Sequence, residues 1–258
     1  MLDLYNYPLS AIFLAGVVII LAASEIGRRI GVLASASGDG DVSTLESAVL
    51  GLMALMIGFT FAMALSRFET RRDAVLSEAN AIGTTALRAR LLPQSEREEV
   101  LKLLRDYVAV RLDITTRPVT GAELKAAIDK SNAVQEALWQ QAKAVGVKDA
   151  NMVPTGLFIQ ALNEMIDQQG KRLAALRNRV PNIVMLALFG ITAVGMAFTG
   201  YGRGLEGRRK RLPLYLMALL LSSVLLLILD LDRPTTGFIE VSQRPMVDTA
   251  ESIRSFRD

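Results

Sequence analysis

"SAVLGLMALMIGFTFAMALSRFETRRDAVLSEANAIGTTALRARLL", residues 47–92, is apolar in its first half, charged in its second half and free of proline throughout. Because proline ends or kinks helices, this stretch predicts one unbroken helix. At 1.5 Å per residue the helix would be roughly 70 Å long, whereas a bilayer core needs only about 30 Å of it. We therefore expect a membrane span from Ala48 to Ser66 that continues beyond the lipid towards Leu92.

Three other stretches are apolar, lack charged residues and are about long enough to cross a bilayer core: Leu9 to Ser24, Ile183 to Gly200, and Leu214 to Leu229. The first could be a signal peptide, but it has no basic residues before it and leads into Glu25, Arg28 and Arg29 instead of a small-residue cleavage site. We interpret it as a retained anchor. All eight prolines lie outside the four spans.

The long segment between the second and third spans is predicted to be helical. Amphipathic patterns with apolar residues three and four positions apart begin near Ser95, Thr120 and Thr155, each a residue type that caps helices. The sequence therefore predicts an all-α integral membrane protein with four transmembrane helices and a helical bundle inserted between helices two and three. The expected divisions are transmembrane helices 1 and 2 at 1–66, the bundle at 67–182, helices 3 and 4 at 183–231 and a C-terminal tail at 232–258.

The composition excludes several classes of function. The chain is 51% hydrophobic and 21% charged, which fits a protein that is partly in lipid. It contains no Cys and no His, so thiol nucleophiles, the commonest general base and most zinc or haem ligands are missing. We predict that it is not an enzyme and has no cofactor or bound metal. A net charge of +3, spread among acidic residues, gives no reason to expect a nucleic-acid partner.

Small residues recur every three or four positions on one face of the second span: Ser47, Gly51, Ala54, Gly58, Ala62 and Ser66. Small faces let helices approach closely in lipid. The pattern fits helix packing within a subunit or between subunits, and it also fits a central helix repeated around the axis of an oligomer, where it would line a pore.

Charged and polar residues follow the second span: Arg67, Arg71, Arg72, Glu78 and Asn80. Basic rings at the mouth of a pore would concentrate anions. The same side chains could instead be solvated or pair along the helix at a spacing of four residues, which is the commonest fate of such charges. Spacing leaves both interpretations open.

Asp230, Asp232 and Arg233 stand at the end of the fourth span, where the helix dipole disfavours carboxylates. We interpret the two aspartates as ion-pair partners of basic residues at the same membrane surface. The candidate partners are Arg67, Arg71, Arg72, Arg177 and Arg179. The alternative is an acidic vestibule ring that attracts cations.

Three motifs resemble the signatures of the bestrophin-like family of bacterial and plant membrane proteins. They are "RFETRRDAVLSEANAIGTTALRARLLP" at 67–93, "GYGRGLEGRR" at 200–209 and "DLDRPTTGFIEVSQRPMVD" at 230–248. The family is named after the bestrophins, pentameric anion channels with four membrane helices, a helical extramembrane region and a pore lined by the second helix. The resemblance implies a homo-oligomeric ion channel in the bacterial inner membrane, with inorganic ions and membrane lipids as partners. The acidic calcium-clasp run of animal bestrophins is absent, so calcium gating is not implied.

Two features of the sequence give opposite orientations in the membrane. Basic residues in the short connections, such as Arg28, Arg29 and Arg203, place both short loops in the cytoplasm. The resemblance implies instead that residues 67–182 are cytosolic.

For function, the alternative to a channel is a non-conducting, membrane-anchored helical scaffold or sensor, because signal-receiving domains are also inserted between spans.

Overall fold

The computed structural model of the chain describes residues 4–35, 42–113, 121–148, 152–207 and 210–256. These residues form helices and no strand, which confirms the predicted all-α fold class. A short 3₁₀ turn at Leu4–Asn6 precedes the α-helices. They are α1 (Leu9–Ser35), α2 (Ser43–Ala89), α3 (Gln94–Asp113), α4 (Gly121–Lys148), α5 (Met152–Arg177), α6 (Asn182–Leu205), α7 (Leu212–Asp232) and α8 (Arg244–Ser255).

Helix α2 is continuous over 47 residues, as the absence of proline predicted. It ends at Ala89, slightly before the predicted Leu92, and a turn follows. Prolines 154, 213 and 245 lie in the first turns of α5, α7 and α8, where the missing N–H has no helical partner to lose. Helix α5 begins at Met152, ahead of the predicted cap Thr155, and the predicted cap Thr120 lies outside the described residues.

Among the residues that the structure describes, four helical stretches are long and apolar enough to cross a membrane: Leu9–Ser35, Ser43–Ala89, Val153–Leu205 and Leu212–Asp232. Within the third stretch the apolar part is α6, since α5 carries charges such as Glu164, Lys171 and Arg172. The protein is an integral membrane protein with the four predicted spans.

The chain forms two compact units. The first comprises Met1–Phe68, Arg179–Arg233 and Gly237–Ile239, and the second comprises Glu69–Asn178, Pro234–Thr236 and Glu240–Asp258. Helix α2 therefore contributes to both units. We predicted from the sequence that the residues from 232 onwards form a separate tail. In the structure they are divided between the two units.

In the first unit α1 packs closely against α6, and both contact α7. The contact depends on glycines. A Cβ atom on Gly27 would overlap the carbonyl oxygen of Ala197, and a Cβ on Gly200 would overlap the carbonyl oxygen of Ser24. A Cβ atom on Gly31 or Gly204 would likewise overlap a carbonyl oxygen of the other helix. These positions form two small-xxx-small motifs, which let helix backbones approach within a membrane.

In the second unit the core is built by α2, α3, α4, α5 and α8. The apolar face of α8 enters this core through Met246, Ala250 and Ile253. Arg105 donates to the carbonyl oxygens of Ile253 and Phe256, each at 3.4 Å, at the end of the helix. Helix α8 was not predicted from the sequence, although its apolar residues recur at helical spacing.

Candidate functional site

The small-residue face of α2 is exposed in the first unit. All of its members are exposed: Ser47, Gly51, Ala54, Gly58, Ala62 and Ser66. A Cβ atom built on Gly51 or Gly58 would meet nothing within 4 Å. Within the part of this unit that the structure describes, neither glycine is needed for close packing. The surface is therefore available to a pore or to another subunit.

Helix α2 also has a buried face and a face of large apolar residues. Met53, Thr60 and Ala64 are buried. A Cβ atom built on Gly195 in α6 would lie 3.2 Å from Met53 Sδ. A third face carries large apolar residues that are exposed: Leu52, Leu55, Phe59 and Met63. At about 100° of rotation per residue, the buried positions lie opposite the small ones. The large apolar positions adjoin the small ones, and Leu55 falls between Ala62 and Ser66.

The charged residues after Ser66 do not present one basic surface. Arg71 is 2% exposed, inside the second unit, while Arg67 is half-buried in the first. Arg72 is exposed and lies 3.7 Å from the carboxylate of Asp73. Since Glu69 is exposed as well, the solvent-facing charges in this part of α2 are mixed in sign. Arg72 and Asp73 are neighbours in the sequence, so their contact is not the pairing at a spacing of four residues, which stays a prediction.

Glu78 is completely buried between two guanidinium groups in the second unit. Arg111 Nε lies 2.8 Å from Oε1, and Arg172 Nη1 lies 2.6 Å from Oε2. Both arginines are almost fully buried, so α2, α3 and α5 meet at a buried ionic triad. Removing one partner from a buried ionic group leaves an uncompensated charge, which is strongly destabilising.

Hydrogen bonds extend this triad into a polar network. The Tyr107 hydroxyl lies 3.0 Å from Glu78 Oε1 and 2.7 Å from Gln169 Oε1. Gln135 Nε2 donates to Gln169 Oε1 at 2.6 Å, and Arg172 Nη2 donates to Gln243 Oε1 at 2.9 Å. Burial and the Glu78 carboxylate raise the pKa of Tyr107 far above its usual range. The network joins four helices of the bundle to the segment before α8 and has a structural role.

Asn80 lies apart from this network. Its side chain is exposed and lines a surface groove of about 400 Å³ between α2 and α5 in the second unit. Ala81 and Ala161, both buried, are among the residues that line the groove. Thr85 donates to the Ala161 carbonyl oxygen at 3.0 Å, which holds the two helices together beneath the groove.

Asp230 is buried and accepts hydrogen bonds from main-chain N–H groups. Phe238 N donates to Oδ1 at 2.7 Å and Ile239 N donates to Oδ2 at 3.0 Å. The sequence predicted an arginine partner for Asp230, and the structure shows these backbone amides as its partners. The physical reason is that a tight loop follows α7. A Cβ on Gly237 would overlap Oδ1, so only glycine admits the carboxylate there.

Asp232 and Arg233 connect the end of α7 to other span termini in the first unit. Asp232 Oδ2 accepts from Val180 N at 2.8 Å and from the Tyr5 hydroxyl. Arg233 Nη2 donates to the carbonyl oxygens of Leu4 and Tyr7, at 3.1 and 2.6 Å. Burial and the Asp232 carboxylate raise the pKa of Tyr5 far above its usual range. The motif at 230–233 therefore fastens together the starts of α1 and α6 and the end of α7.

Sequence reasoning missed several residues of these arrangements. Arg111 and Arg172 were not selected, because hydropathy does not reveal which charges become buried. Gly27, Gly31, Gly200 and Gly204 were not selected either, although their four-residue spacing in "GRRIG" and "GYGRG" is a visible signal of helix contact. The backbone partners of Asp230 have no signal beyond the turn residues that follow it.

The sequence model of the bestrophin-like domain matches residues 12–246. The chain belongs to the bestrophin-like family. Its fold is similar to the crystal structure of a bacterial bestrophin homologue from Klebsiella pneumoniae, phased with zinc, with a TM-score of 0.68 at 16% identity over 94% of this chain and 95% of the homologue. A single-substitution variant of a Klebsiella pneumoniae bestrophin homologue gives a TM-score of 0.67 at 14% identity, covering 93% of this chain and 94% of that one. No curated protein matches the chain.

Membership of the bestrophin-like family confirms the resemblance on which the expectation of a channel rested. At these identities the structural similarity shows a shared fold. The assignment of Ser47, Gly51, Ala54, Gly58, Ala62 and Ser66 to a pore stays a prediction, as does the role of Arg67, Arg71, Arg72 and Asn80.

Proposed function

We propose that this bestrophin-like protein is a homo-oligomeric ion channel whose pore is lined by α2. The observation that supports the proposal is the exposed small face of that helix. In lipid, small residues are found where a helix meets protein closely, because large apolar side chains fill the lipid-facing positions better. Helix α2 carries such large side chains on the adjoining exposed face, at Leu52, Phe59 and Met63. The small face is thus the one that turns away from lipid, and in a ring of α2 helices it would border the lumen.

The chemistry of this face suits passive conduction. Its side chains are hydroxyls, methyl groups or hydrogen, and Ala48 to Ser66 contain no Asp, Glu, Lys or Arg. Proton-coupled pumps need ionisable groups at depth, and none lies in the four predicted spans. Mixed exposed charges beyond Ser66 do not favour one ion sign, so selectivity has to be measured.

Cysteine accessibility in liposomes tests the proposal directly. The chain has no native cysteine, so Gly58→Cys, Thr60→Cys and Phe59→Cys each give one thiol. We expect the purified protein to conduct ions, and a charged, membrane-impermeant thiosulfonate to reduce the current of Gly58→Cys. Thr60 is 2% exposed and Phe59 lies on the large apolar face, so currents of both control variants should persist.

One result would count against the channel and another against the small face as its lining. Absence of ion flux in liposomes that contain correctly assembled oligomers would favour the scaffold or sensor. Conductance that is insensitive to modification at Gly58, yet blocked by modification at Phe59, would move the pore to another face of α2. Reversal potentials in asymmetric salt then give the ion preference.

A further inference from the structure

One end of the first unit gathers the termini of three spans. Asp232, at the end of α7, binds Val180 N just before α6 and the Tyr5 hydroxyl just before α1. Arg233 binds the carbonyl oxygens of Leu4 and Tyr7 in the same segment before α1. Because α1, α6 and α7 are membrane helices that start or end here, this end of the unit lies at the boundary between hydrocarbon and water.

The same contacts hold two aromatic side chains outward. Phe238 is 81% exposed and Tyr7 is 49% exposed. Their backbones are fixed, since Asp230 binds Phe238 N at 2.7 Å and Arg233 binds the Tyr7 carbonyl oxygen at 2.6 Å. An exposed phenylalanine on a fixed loop is unfavourable in water. Aromatic side chains are enriched at the headgroup level of membranes, where an apolar ring contacts the acyl boundary.

A basic side chain completes this surface. Arg179 is exposed, immediately precedes Val180 and places its guanidinium carbon 4.9 Å from the centre of the Tyr5 ring. The stacking of Arg179 on the Tyr5 ring and the hydrogen bond from Val180 N to Asp232 together fix the position of Arg179. A guanidinium near the membrane surface attracts the phosphate groups of lipids, especially anionic ones.

We propose that Tyr7, Phe238 and Arg179 form a lipid-binding surface at headgroup level, which sets the depth of the membrane unit. The occupant is the bilayer itself: acyl-chain ends next to the two rings and a lipid phosphate next to Arg179. The motif at 230–233 builds the surface by fixing the segments that carry these residues. The proposal is independent of ion conduction and holds equally for a non-conducting protein.

Depth-dependent fluorescence quenching tests the surface. Phe238→Trp and Leu220→Trp are compared in vesicles of phosphatidylcholine with bromine either near the carbonyl end or near the methyl end of the acyl chains. Leu220 is 65% exposed in the middle of α7 and serves as the deep control. The native Trp139 is retained, and its emission is subtracted with the parent protein. We expect the emission of the Phe238→Trp variant to fall more with the shallow bromines, and the Leu220→Trp variant to show the opposite order.

Other quenching patterns would overturn the proposal. Quenching of the Phe238→Trp variant by aqueous acrylamide with no effect of either bromolipid would place the loop in water. No quenching by any of these agents would mean that a second copy of the chain covers the site.

The headgroup contact has a test of its own. Phosphatidylglycerol, compared with phosphatidylcholine, should raise the unfolding temperature of the parent protein more than that of Arg179→Gln. Soluble glycerol phosphate should not reproduce the shift. An equal shift in both proteins, or an equal effect of the soluble phosphate, would overturn the lipid headgroup as the ligand of Arg179.

Discussion

The carboxylate of Asp232 accepts a hydrogen bond of 2.8 Å from the main-chain N–H of Val180, although 52 residues separate them in the sequence. Asp230 uses its carboxylate in the same way, on Phe238 N and Ile239 N. An acceptor that satisfies buried N–H groups offsets the unfavourable position of a carboxylate at a helix C-terminus. The two aspartates therefore organise the membrane surface of the first unit by binding backbone.

Replacing Asp230 distinguishes backbone binding from ion pairing. Asp230→Ala should lower the free energy of unfolding by about 1 kcal/mol, because it removes the acceptor of two partly buried N–H groups. Asp230→Asn keeps one acceptor oxygen and should lose clearly less. Urea unfolding in detergent measures both. Equal losses in the two variants would indicate that the charge, and hence a cation, matters more than the acceptor.

The glycines at the contact of α1 with α6 should not tolerate a side chain. Gly200→Ala places a methyl group where the carbonyl oxygen of Ser24 lies, and overpacking of this kind typically costs about 1–3 kcal/mol. Gly190→Ala is the matched control, since a Cβ atom there meets nothing within 4 Å on the same helix. In detergent, the unfolding temperature should fall for Gly200→Ala alone. Similar stability of the two variants would mean that the helices can separate at little cost.

Glu78 should be among the most sensitive positions of the second unit. Glu78→Gln leaves Arg111 and Arg172 buried without their carboxylate, which typically costs about 3–5 kcal/mol. Asp73→Asn is the control, because its ion pair with Arg72 is exposed and such pairs contribute about 1 kcal/mol or less. The midpoint of denaturation of the purified full chain measures both. A tolerated Glu78→Gln would show that water or another group compensates the arginines.

The sequence predicted the features that depend on periodicity and missed those that depend on which groups meet. The four spans and the long α2 follow from runs of apolar residues and from the positions of proline. The small face of α2 was also visible, because residues on one helix keep a known angular relation. The partners of Asp230 and Glu78 lie on other segments, and a single sequence does not say which segments become neighbours. Helix α8 was missed because its apolar residues are few and the bundle residues that it contacts are distant in the sequence.

Alkaline pH should weaken the bundle through Tyr107. The folded state raises the pKa of this phenol through burial and the nearby Glu78 carboxylate, so it favours the neutral form. Its contribution is present below the ordinary tyrosine pKa of about 10 and is lost as the pH rises above that value. The unfolding temperature should therefore fall less steeply above about pH 10 in Tyr107→Phe than in the parent. Identical slopes would mean that the hydroxyl is not closed off from solvent.

Gly58→Leu separates a pore-lining role of α2 from a close helix contact. A Cβ atom at Gly58 meets nothing within 4 Å among the residues that the structure describes, so a leucine there should leave the fold of the subunit unchanged. If the small face lines a lumen, the oligomer mass in detergent should stay the same while the ion flux in liposomes falls, because a larger apolar side chain narrows the path. If the face instead contacts another subunit closely, the oligomer should dissociate or change size. Leu52→Ile, on the large apolar face, is the control and should alter neither quantity. We expect unchanged mass with reduced flux, and a dissociated oligomer would show that the small residues are a subunit contact.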